Sequence, residues 1–252
     1  ASLDTAKWTS KNARKIGEAP VIFSPELVDA SCTQLKRAMN NKGYFRAIVD
    51  TTMQVKDRKV NLAYHITTNE PYSIRNYSIS LDNSELSSVA QNQRYTLVHN
   101  GMQFDADILN QERLRVASTM RRRGYFYFDQ EMLQYKADST RGKQQIDVKM
   151  ELQDYIQMLS DEEKENIFRV YKIARVHFHI DYDPTRLPED KEMYASSRDG
   201  YVFTWVGKQL LREKMLIRNC PIKPGDRYNE NFVERTYARL NQLAPIKYVD
   251  IS

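Results

Sequence analysis

Apolar residues recur along this chain first at helical spacing and then at every second position, which predicts alternating helices and strands. Ser24, followed by proline, is typical of a helix N-terminus. Leu27, Leu35 and Met39 continue on one helical face. Gly43 follows this face, and glycine adopts the left-handed conformation of a helix C-terminus without strain. The pattern therefore predicts a helix between Ser24 and Gly43.

Strands are predicted where apolar and polar residues alternate. Residues 44–55 form the first such stretch, residues 56–59 turn the chain, and residues 60–66 alternate as a half-buried strand. The next part of the chain predicts, in order, a strand at 72–81, helices at 84–98 and 105–123, and strands at 125–137 and 146–152.

The last third of the chain is less regular. Residues 168–182 are predicted to form a strand, residues 184–200 a polar loop, and residues 202–216 a helix. Asn229 caps a further helix, and residues 246–251 begin another strand.

A pattern of glycine, aromatic, Asx and apolar residues recurs along the chain. The spacing between residues 23–27 and the Gly-Tyr-Phe sequence at 43–45 is repeated between residues 104–108 and the Gly-Tyr-Phe sequence at 124–126. A looser third copy lies at residues 225–232. Recurrence at domain-sized intervals predicts a serial array of small units.

The repeat divides the chain into three predicted units, at residues 1–70, 71–155 and 156–252. The middle unit has the order strand, helix, helix, strand, strand. The first unit lacks its first strand, while the third carries the insertion 184–200 and lacks its last strand. The chain is therefore predicted to be a segment of a larger protein.

Composition adds a mild positive charge. Lys and Arg number 38 against 33 Asp and Glu, which gives a net charge of +5. The densest cationic cluster, residues 121–123, falls at a predicted helix C-terminus, where cations complement the helix dipole. Helix capping is therefore favoured there over binding of an anionic partner. Cys32 and Cys220 fall in different units and are predicted to be isolated thiols.

No catalytic constellation is present in the sequence. His177 and His179 lie two residues apart on a predicted strand and share a face, but no cysteine or third histidine accompanies them. A structural role is favoured over metal binding. His65 and His99 stand alone, and phosphate-binding loops, nucleophile elbows and zinc-protease motifs are missing. The sequence predicts a protein that is not an enzyme and has no cofactor.

The β-α-α-β-β order, with a Gly-aromatic-aromatic step after the second helix, resembles the POTRA (polypeptide-transport-associated) domain. Residues 72–74 and 170–173 are similar to the first strand of that family, and residues 225–229 to its link before the second helix. The sequences at 43–45 and 124–126 are similar to its Gly-Tyr-Phe corner. The third unit departs from the pattern, because it has Ala-Pro-Ile where the corner would fall. The resemblance implies an α+β fold: a serial array of β-α-α-β-β units, each a three-stranded mixed sheet covered by two helices.

The resemblance also implies a location and partners. Tandem POTRA arrays stand on the periplasmic side of outer-membrane β-barrels that insert or translocate proteins, of the BamA and TamA kind. A barrel is then expected after Ser252, with unfolded outer-membrane or secreted polypeptides as clients and with accessory periplasmic or outer-membrane subunits. Residues 15–20 and 42–44 are most similar to the TamA-like surface-antigen proteins of Bacteroidetes.

By the same resemblance, the second strand of each unit is an exposed sheet edge, expected at residues 45–53 and 128–135. Such an edge accepts an extended peptide by backbone pairing, although coverage by a neighbouring unit or loop stays an equal alternative. Four residues are instead expected to define the fold: Gly43, Tyr44, Gly124 and Tyr125. The expected peptide-binding residues are Phe45, Arg46, Ala47, Ile48, Val49, Asp50, Phe128, Gln130, Glu131, Met132 and Leu133.

Two rival functions are left open. One is a structural interaction scaffold of the cell-division POTRA type, against which the threefold repeat argues. The other is a nucleic-acid-binding βα module, which requires exposed aromatic residues ringed by Lys and Arg on one sheet face. The alternating strands here pair an apolar face with mixed charge, so nucleic acid is not the expected partner.

Overall fold

The computed structural model describes residues 23–81, 84–91, 94–140, 144–180, 193–209 and 211–251. Residues 15–20, which carry part of the finer resemblance, lie outside them. Contacts group the chain into two compact units. The first compact unit is Ala1–Tyr72 with Gln103–Asp105, and the second is Ser73–Met102 with Ala106–Ser252. No described helix is both long and apolar enough to cross a membrane.

The first compact unit contains one described helix and a two-stranded antiparallel ribbon. Helix α1 (Pro25–Asn41) starts after Ser24, whose extended backbone is that of an N-cap residue. Strands β1 (Ile48–Lys56) and β2 (Lys59–Thr67) follow, joined by a two-residue turn. Both turn residues, Asp57 and Arg58, have positive φ, which matches the right-handed twist of the ribbon.

One face of the ribbon is apolar. Val49, Met53 and Val55 of β1 lie opposite Ile66, Leu62 and Val60 of β2. The prediction of a half-buried strand is wrong for most of β2, because seven of its nine residues are exposed. Met53 is 53% and Val55 67% exposed. The described residues therefore leave much of this apolar face open.

The second compact unit begins with a β-α-α-β-β arrangement. Strand β3 (Ser73–Ser80) is followed by helices α2 (Ser84–Ala90) and α3 (Ala106–Arg122), and then by strands β4 (Leu133–Asp138) and β5 (Gln145–Leu152). The sheet order is β3-β5-β4. Strand β5 is parallel to β3 and antiparallel to β4. This mixed three-stranded sheet with helices confirms the predicted α+β fold class and is typical of a POTRA-type fold.

The helices cover one face of this sheet and form its core. Val116 and Met120 of α3 pack with Met150 of β5 and with Phe128 in a single buried cluster. Spacings of seven and four residues place Leu109, Val116 and Met120 on one helical face, as predicted. The same face also buries Glu112 completely.

Two short helices then lead to a second mixed sheet. Helix α4 (Asp154–Gln157) is followed by α5 (Asp161–Ile167), which begins with a reciprocal capping box between Ser160 and Glu163. Strands β6 (Val176–His179), β7 (Met193–Arg198) and β8 (Tyr201–Val206) come next in the chain. The sheet order is β6-β8-β7, with β6 parallel and β7 antiparallel to β8. Helices α6 (Glu213–Asn219) and α7 (Glu230–Asn241) complete the described elements.

Several predictions for the third repeat are wrong. Residues 193–198, expected in a loop, form β7, and residues 202–206, expected in a helix, belong to β8. Of the strand expected at 168–182, residues 176–179 form β6, and residues 246–251 form no strand. Asp199 and Gly200 both have positive φ and make the two-residue turn of a hairpin. The Asp-Gly pair is a strong hairpin signal in the sequence, and the loop prediction overlooked it.

Candidate functional site

The first predicted edge strand starts later than expected. Phe45, Arg46 and Ala47 precede β1, so the strand prediction is wrong for them. The Ala47 amide donates to the Tyr44 carbonyl at 3.1 Å, and Asn69 Nδ2 donates to the Arg46 carbonyl at 3.0 Å. These hydrogen bonds hold the segment as a turn against the end of α1. Of the predicted residues, Ile48, Val49 and Asp50 lie in β1.

The second predicted edge strand is also shorter than expected. Phe128 is 1% exposed and belongs to the core, and Gln130–Met132 forms a single turn of 3₁₀ helix. The Asp129 carboxylate starts this turn by accepting a hydrogen bond from the Glu131 amide at 2.8 Å. The strand prediction is therefore wrong for Phe128, Gln130, Glu131 and Met132. Only Leu133 lies in β4, and its side chain is fully buried.

Two backbone carbonyls of the 3₁₀ turn are already occupied. The carbonyl of Gln130 accepts from the Arg113 guanidinium at 2.9 Å. The carbonyl of Met132 accepts from the Gln153 amide at 2.8 Å. Backbone groups that already have a hydrogen-bond partner within the protein cannot pair with a peptide strand. The open part of this strand edge therefore starts after Leu133.

The two edges of the β3-β5-β4 sheet differ in how they are covered. At the β3 edge, the Ile74 amide donates to the Met102 carbonyl at 2.7 Å, and the Gly101 amide donates to the Ile74 carbonyl at 2.6 Å. The Tyr77 amide donates to Asn100 Oδ1 at 2.9 Å. The loop before α3 thus closes this edge. Among the described residues, 134–137 of β4 have no backbone hydrogen-bond partner other than β5.

The open edge strand carries a charged lysine side chain, Lys136. Lys136 forms ion pairs with Glu151 of β5 and with Asp154, the latter at 3.4 Å. The hydrogen bond to Glu151 raises the pKa of Lys136. Burial acts against ionisation of Glu151, but hydrogen bonds from Lys136 and Lys149 lower its pKa. A charged lysine on an edge strand disfavours pairing between copies of the chain.

Gly43 stands at the centre of a small aromatic cluster in the first compact unit. Its φ is 85°. Its carbonyl accepts from the Tyr72 amide at 2.9 Å, and the Tyr72 carbonyl accepts from the Phe104 amide at 2.8 Å. The Phe45 ring lies 5.0 Å from the Tyr72 ring and 5.2 Å from the Phe104 ring, centroid to centroid. A Cβ atom at position 43 would lie 2.9 Å from the Phe104 carbonyl oxygen, so a side chain there is excluded.

The second compact unit repeats this arrangement around Gly124, whose φ is 100°. The Gly124 carbonyl accepts from the Tyr171 amide at 2.8 Å, and the Tyr171 carbonyl accepts from the Tyr228 amide at 2.9 Å. The Phe126 ring lies 6.0 Å from Tyr171 and 4.9 Å from Tyr228. A Cβ atom at position 124 would lie 2.7 Å from Val170 Cγ1. The corner thus joins the second repeat to the third.

One aromatic residue of the corner, Phe45, makes contacts that were not predicted. Tyr125 is buried and Tyr44 is half-buried beside the preceding helix. The next residue in each copy, Phe45 or Phe126, makes the ring contacts with the following chain. Phe45, predicted to bind peptide, therefore packs against the chain itself.

No family model matches this chain, and no curated protein matches it. Among solved structures, it is similar to POTRA domains 3–5 of BamA from Haemophilus influenzae, with 14% identity over 92% of this chain and 76% of that one, at a TM-score of 0.49. The N-terminal domain of Omp85 from Thermosynechococcus elongatus has 13% identity over 96% of this chain and 83% of that one, at 0.27. POTRA domains 1–3 of Omp85 from Anabaena have 10% identity over 87% and 79%, at 0.28. Likeness at this level assigns no function to the chain.

Arg121 connects the second and third repeats, a role that sequence reasoning missed. Its guanidinium pairs with the Glu230 carboxylate, and it donates to the Phe128 carbonyl at 3.0 Å. Ser118 Oγ donates to the other Glu230 oxygen at 2.7 Å. Glu230 opens α7, where the helix dipole favours an anion. Residues 121–123 were predicted to cap their own helix. Arg121, the first of them, also binds Glu230 at the start of α7.

A double-mutant cycle tests this connection. Arg121→Ala and Glu230→Ala are each expected to destabilise the second compact unit, with a coupling energy of about 0.5–3 kcal/mol. Urea unfolding of the two single variants and the double variant measures it. Arg122→Ala is the matched control, because Arg122 is an exposed neighbour in the same helical turn. Additive losses in the Arg121–Glu230 cycle would contradict a direct connection.

Proposed function

We propose that this chain is a periplasmic polypeptide-binding segment of an outer-membrane protein assembly or translocation factor, and that it binds extended clients by strand addition. The open edge of β4 carries the proposal. Among the described residues, the backbone of 134–137 bonds only to β5, while the β3 edge of the same sheet is closed by its own loop. A peptide that enters at β4 would add a fourth strand to an existing sheet.

The motif resemblance to POTRA domains supports the periplasmic location, since tandem arrays of that family stand before an outer-membrane barrel. The clients would be unfolded outer-membrane or secreted polypeptides, whose own strands are suited to backbone pairing. Accessory subunits and a C-terminal barrel of the same protein would be the other partners. The finer placement among TamA-like surface-antigen proteins of Bacteroidetes rests on residues 15–20 and 42–44 alone. We propose no catalytic role.

Strand β1 is a second proposed edge. The ribbon has no third strand among the described residues, and its apolar face includes Val49 and Met53. A client strand that paired with β1 would extend this apolar face with its own alternate side chains. Residues 48–53 are therefore proposed as a second peptide-binding edge, in addition to residues 134–137.

Isotope-labelled chain titrated with a peptide from an outer-membrane β-strand tests the proposal. Backbone amide shifts are expected to cluster at residues 134–137 and 48–53 and to survive moderate salt, because backbone pairing between neutral groups is weakly screened. The matched control is the same peptide N-methylated at two neighbouring central residues, so that both edges of the peptide strand lose a donor and carry a methyl group. That peptide is expected to bind more weakly.

Two results would overturn strand addition. One is equal binding of the methylated and unmethylated peptides. The other is a set of shifts confined to residues outside both edges, which would instead indicate docking of a folded partner. A Lys136→Thr variant adds a further check, because removal of the guarding charge is expected to strengthen peptide binding at β4 and leave binding at β1 unchanged.

A further inference from the structure

The sheet of the third repeat has two chemically different faces. Phe178, Tyr201 and Phe203 point into a buried cluster beneath α6 and α7. The alternate residues His177 and His179 are exposed on the opposite face. The sequence had placed these histidines on one face of a strand, and the structure adds the neighbour that lies between them.

That neighbour is Thr204 of β8, the register partner of His179. Thr204 Oγ1 lies 2.9 Å from His179 Nδ1 and 3.1 Å from His177 Nε2. The two imidazole rings are 3.8 Å apart, centroid to centroid, and tilted by 37°. One ring nitrogen of each histidine therefore turns toward the same point above the sheet.

The described strand neighbours of this point are uncharged side chains. In the sheet register, Thr204 lies between His179 and Ala195, and Val202 lies between His177 and Ser197. The form of imidazole that binds a metal ion is the neutral one, which keeps a nitrogen lone pair.

A cluster of three or more His, Cys, Asp or Glu side chains does not occur among the described residues. A closed structural zinc site, which takes four protein ligands, is thus excluded there. Two imidazole nitrogens with a hydroxyl between them fit a different kind of site, one that leaves coordination positions open to solvent or to a partner. Imidazole ligands suit Cu²⁺, Ni²⁺ and Zn²⁺ and do not suit Ca²⁺ or Mg²⁺.

We propose that His177 and His179 form a surface chelate for a divalent transition-metal ion, with the Thr204 hydroxyl beside it. Cu²⁺ would bind most tightly of the series, since affinity at nitrogen sites rises from Mn²⁺ to Cu²⁺. Small rotations about the imidazole side chains would bring both nitrogens to one ion in place of the hydroxyl contact. The inference is independent of peptide binding at the sheet edges.

The chain offers a matched control for this site. His65 Nε2 lies 2.8 Å from Thr52 Oγ1 on the β1–β2 ribbon, so it has the same threonine contact without a second histidine. With His99, these are the four histidines of the sequence. The expected difference between His65 and the His177–His179 pair is therefore the effect of chelation.

Titration of the full chain with Cu²⁺, followed by electron paramagnetic resonance, tests the proposal. The spectrum is expected to show nitrogen hyperfine coupling from two imidazoles. His177→Gln and His179→Gln are each expected to raise the dissociation constant about tenfold or more, because the second ligand binds at high effective concentration. His65→Gln is expected to leave both the spectrum and the dissociation constant unchanged.

The spectrum is needed because Cu²⁺ also coordinates thiols and amino termini, and Cys32 is a half-buried free thiol. A two-imidazole signal that survives in the His177→Gln, His179→Gln double variant would overturn the proposal. So would a spectrum without two-nitrogen coupling in the unaltered chain, or equal effects of His65→Gln and His177→Gln. Circular dichroism melts of each variant separate loss of the ligand from loss of the fold.

Discussion

Replacing Glu112 with alanine is expected to lower the free energy of unfolding of the second compact unit by about 3–5 kcal/mol. Glu112 is completely buried on the core face of α3. Its two carboxylate oxygens accept from Arg115 Nε at 2.7 Å and from Arg115 Nη2 at 2.8 Å. Removal of the carboxylate would leave the Arg115 guanidinium, whose side chain is 14% exposed, without its counter-charge.

The carboxylate also organises the chain around it. The Leu97 amide donates to Glu112 at 3.0 Å, and the Tyr77 hydroxyl lies 3.4 Å from its other oxygen. Arg115 in turn donates to the Ala90 carbonyl at the end of α2 at 3.0 Å. Strand β3, two helices and the loop that closes the β3 edge therefore meet at one buried charge. Loss of Glu112 is expected to loosen that loop as well as the core.

Chemical denaturation of the unaltered chain and of Glu112→Ala measures the change in stability, and hydrogen exchange at the Leu97 amide reports the loop. Glu131→Ala is the matched control, because Glu131 pairs with Arg113 at 3.5 Å while its side chain is 73% exposed. Its effect is expected to stay within about 0.5 kcal/mol. A loss for Glu112→Ala no larger than that of the control would contradict the buried network.

A double replacement separates the cost of an unpaired charge from the value of the pair. Glu112→Leu with Arg115→Leu removes both charges and fills their volume with apolar atoms. It is expected to recover part of the stability lost in Glu112→Leu alone, because the uncompensated buried charge is gone. Equal stability of the single and double variants would show that the Leu97 and Tyr77 contacts, and not charge pairing, cause the loss.

Gly124→Ala is expected to destabilise the second compact unit by about 2–4 kcal/mol, through backbone strain and steric overlap together. The backbone of Gly124 is left-handed, which costs any residue with a Cβ atom about 1–2 kcal/mol. The added methyl would also lie 2.7 Å from Arg227 Cγ and 2.7 Å from Val170 Cγ1. Arg227 is long enough to move aside, but Val170 is β-branched and has few alternative rotamers.

Gly225→Ala provides the control for strain alone. Its φ is 85°, and no atom lies within 4 Å of an added Cβ. It is expected to lose only the strain term, about 1–2 kcal/mol. Denaturation of both variants therefore isolates the cost of overlap at Gly124.

The steric overlap at Gly124 is also expected to affect the contact between the second and third repeats. The chain that packs on Gly124 carries Tyr171, whose amide bonds to the glycine carbonyl. A side chain there is expected to weaken the joint between the second and third repeats, so the Tyr171 amide should exchange faster with solvent in Gly124→Ala than in Gly225→Ala. Equal exchange of the Tyr171 amide in the two variants would mean that Gly124 avoids backbone strain but does not help to connect the second and third repeats.

Local patterns were sufficient for the elements whose signals lie within a few residues. Ser24 and Gly43 bound α1 as predicted, and the alternation of apolar residues in β5 placed that strand correctly. The recurring Gly-Tyr-Phe sequence indicated the repeat, because the left-handed glycine and its aromatic neighbour are needed at each corner. Helix and strand periodicity act over short distances, and the α+β fold class follows from their order.

The same local patterns misplaced residues whose state depends on partners elsewhere in the chain. The POTRA resemblance places residues 128–132 in a strand. The Gln130 carbonyl instead accepts from Arg113 of α3, and the Met132 carbonyl accepts from the Gln153 amide after β5. A 3₁₀ turn forms as a result. Glu112 likewise falls on the apolar face of α3 by its spacing, yet only Arg115 and the Leu97 amide make burial of its charge tolerable.

The amino-acid sequence by itself determined the repeat, the helix boundaries around the glycine corners and the mixed α+β order, since these follow from backbone preferences and periodicity. The tertiary structure decided which sheet edge is open. Strands β3 and β4 both lie at edges, but the loop through Gly101 and Met102 bonds to β3 alone. It also decided that His177 and His179 meet at Thr204, because that contact crosses between the parallel strands β6 and β8, which are distant in the sequence. Such contacts depend on where distant segments pack, and no local pattern encodes them.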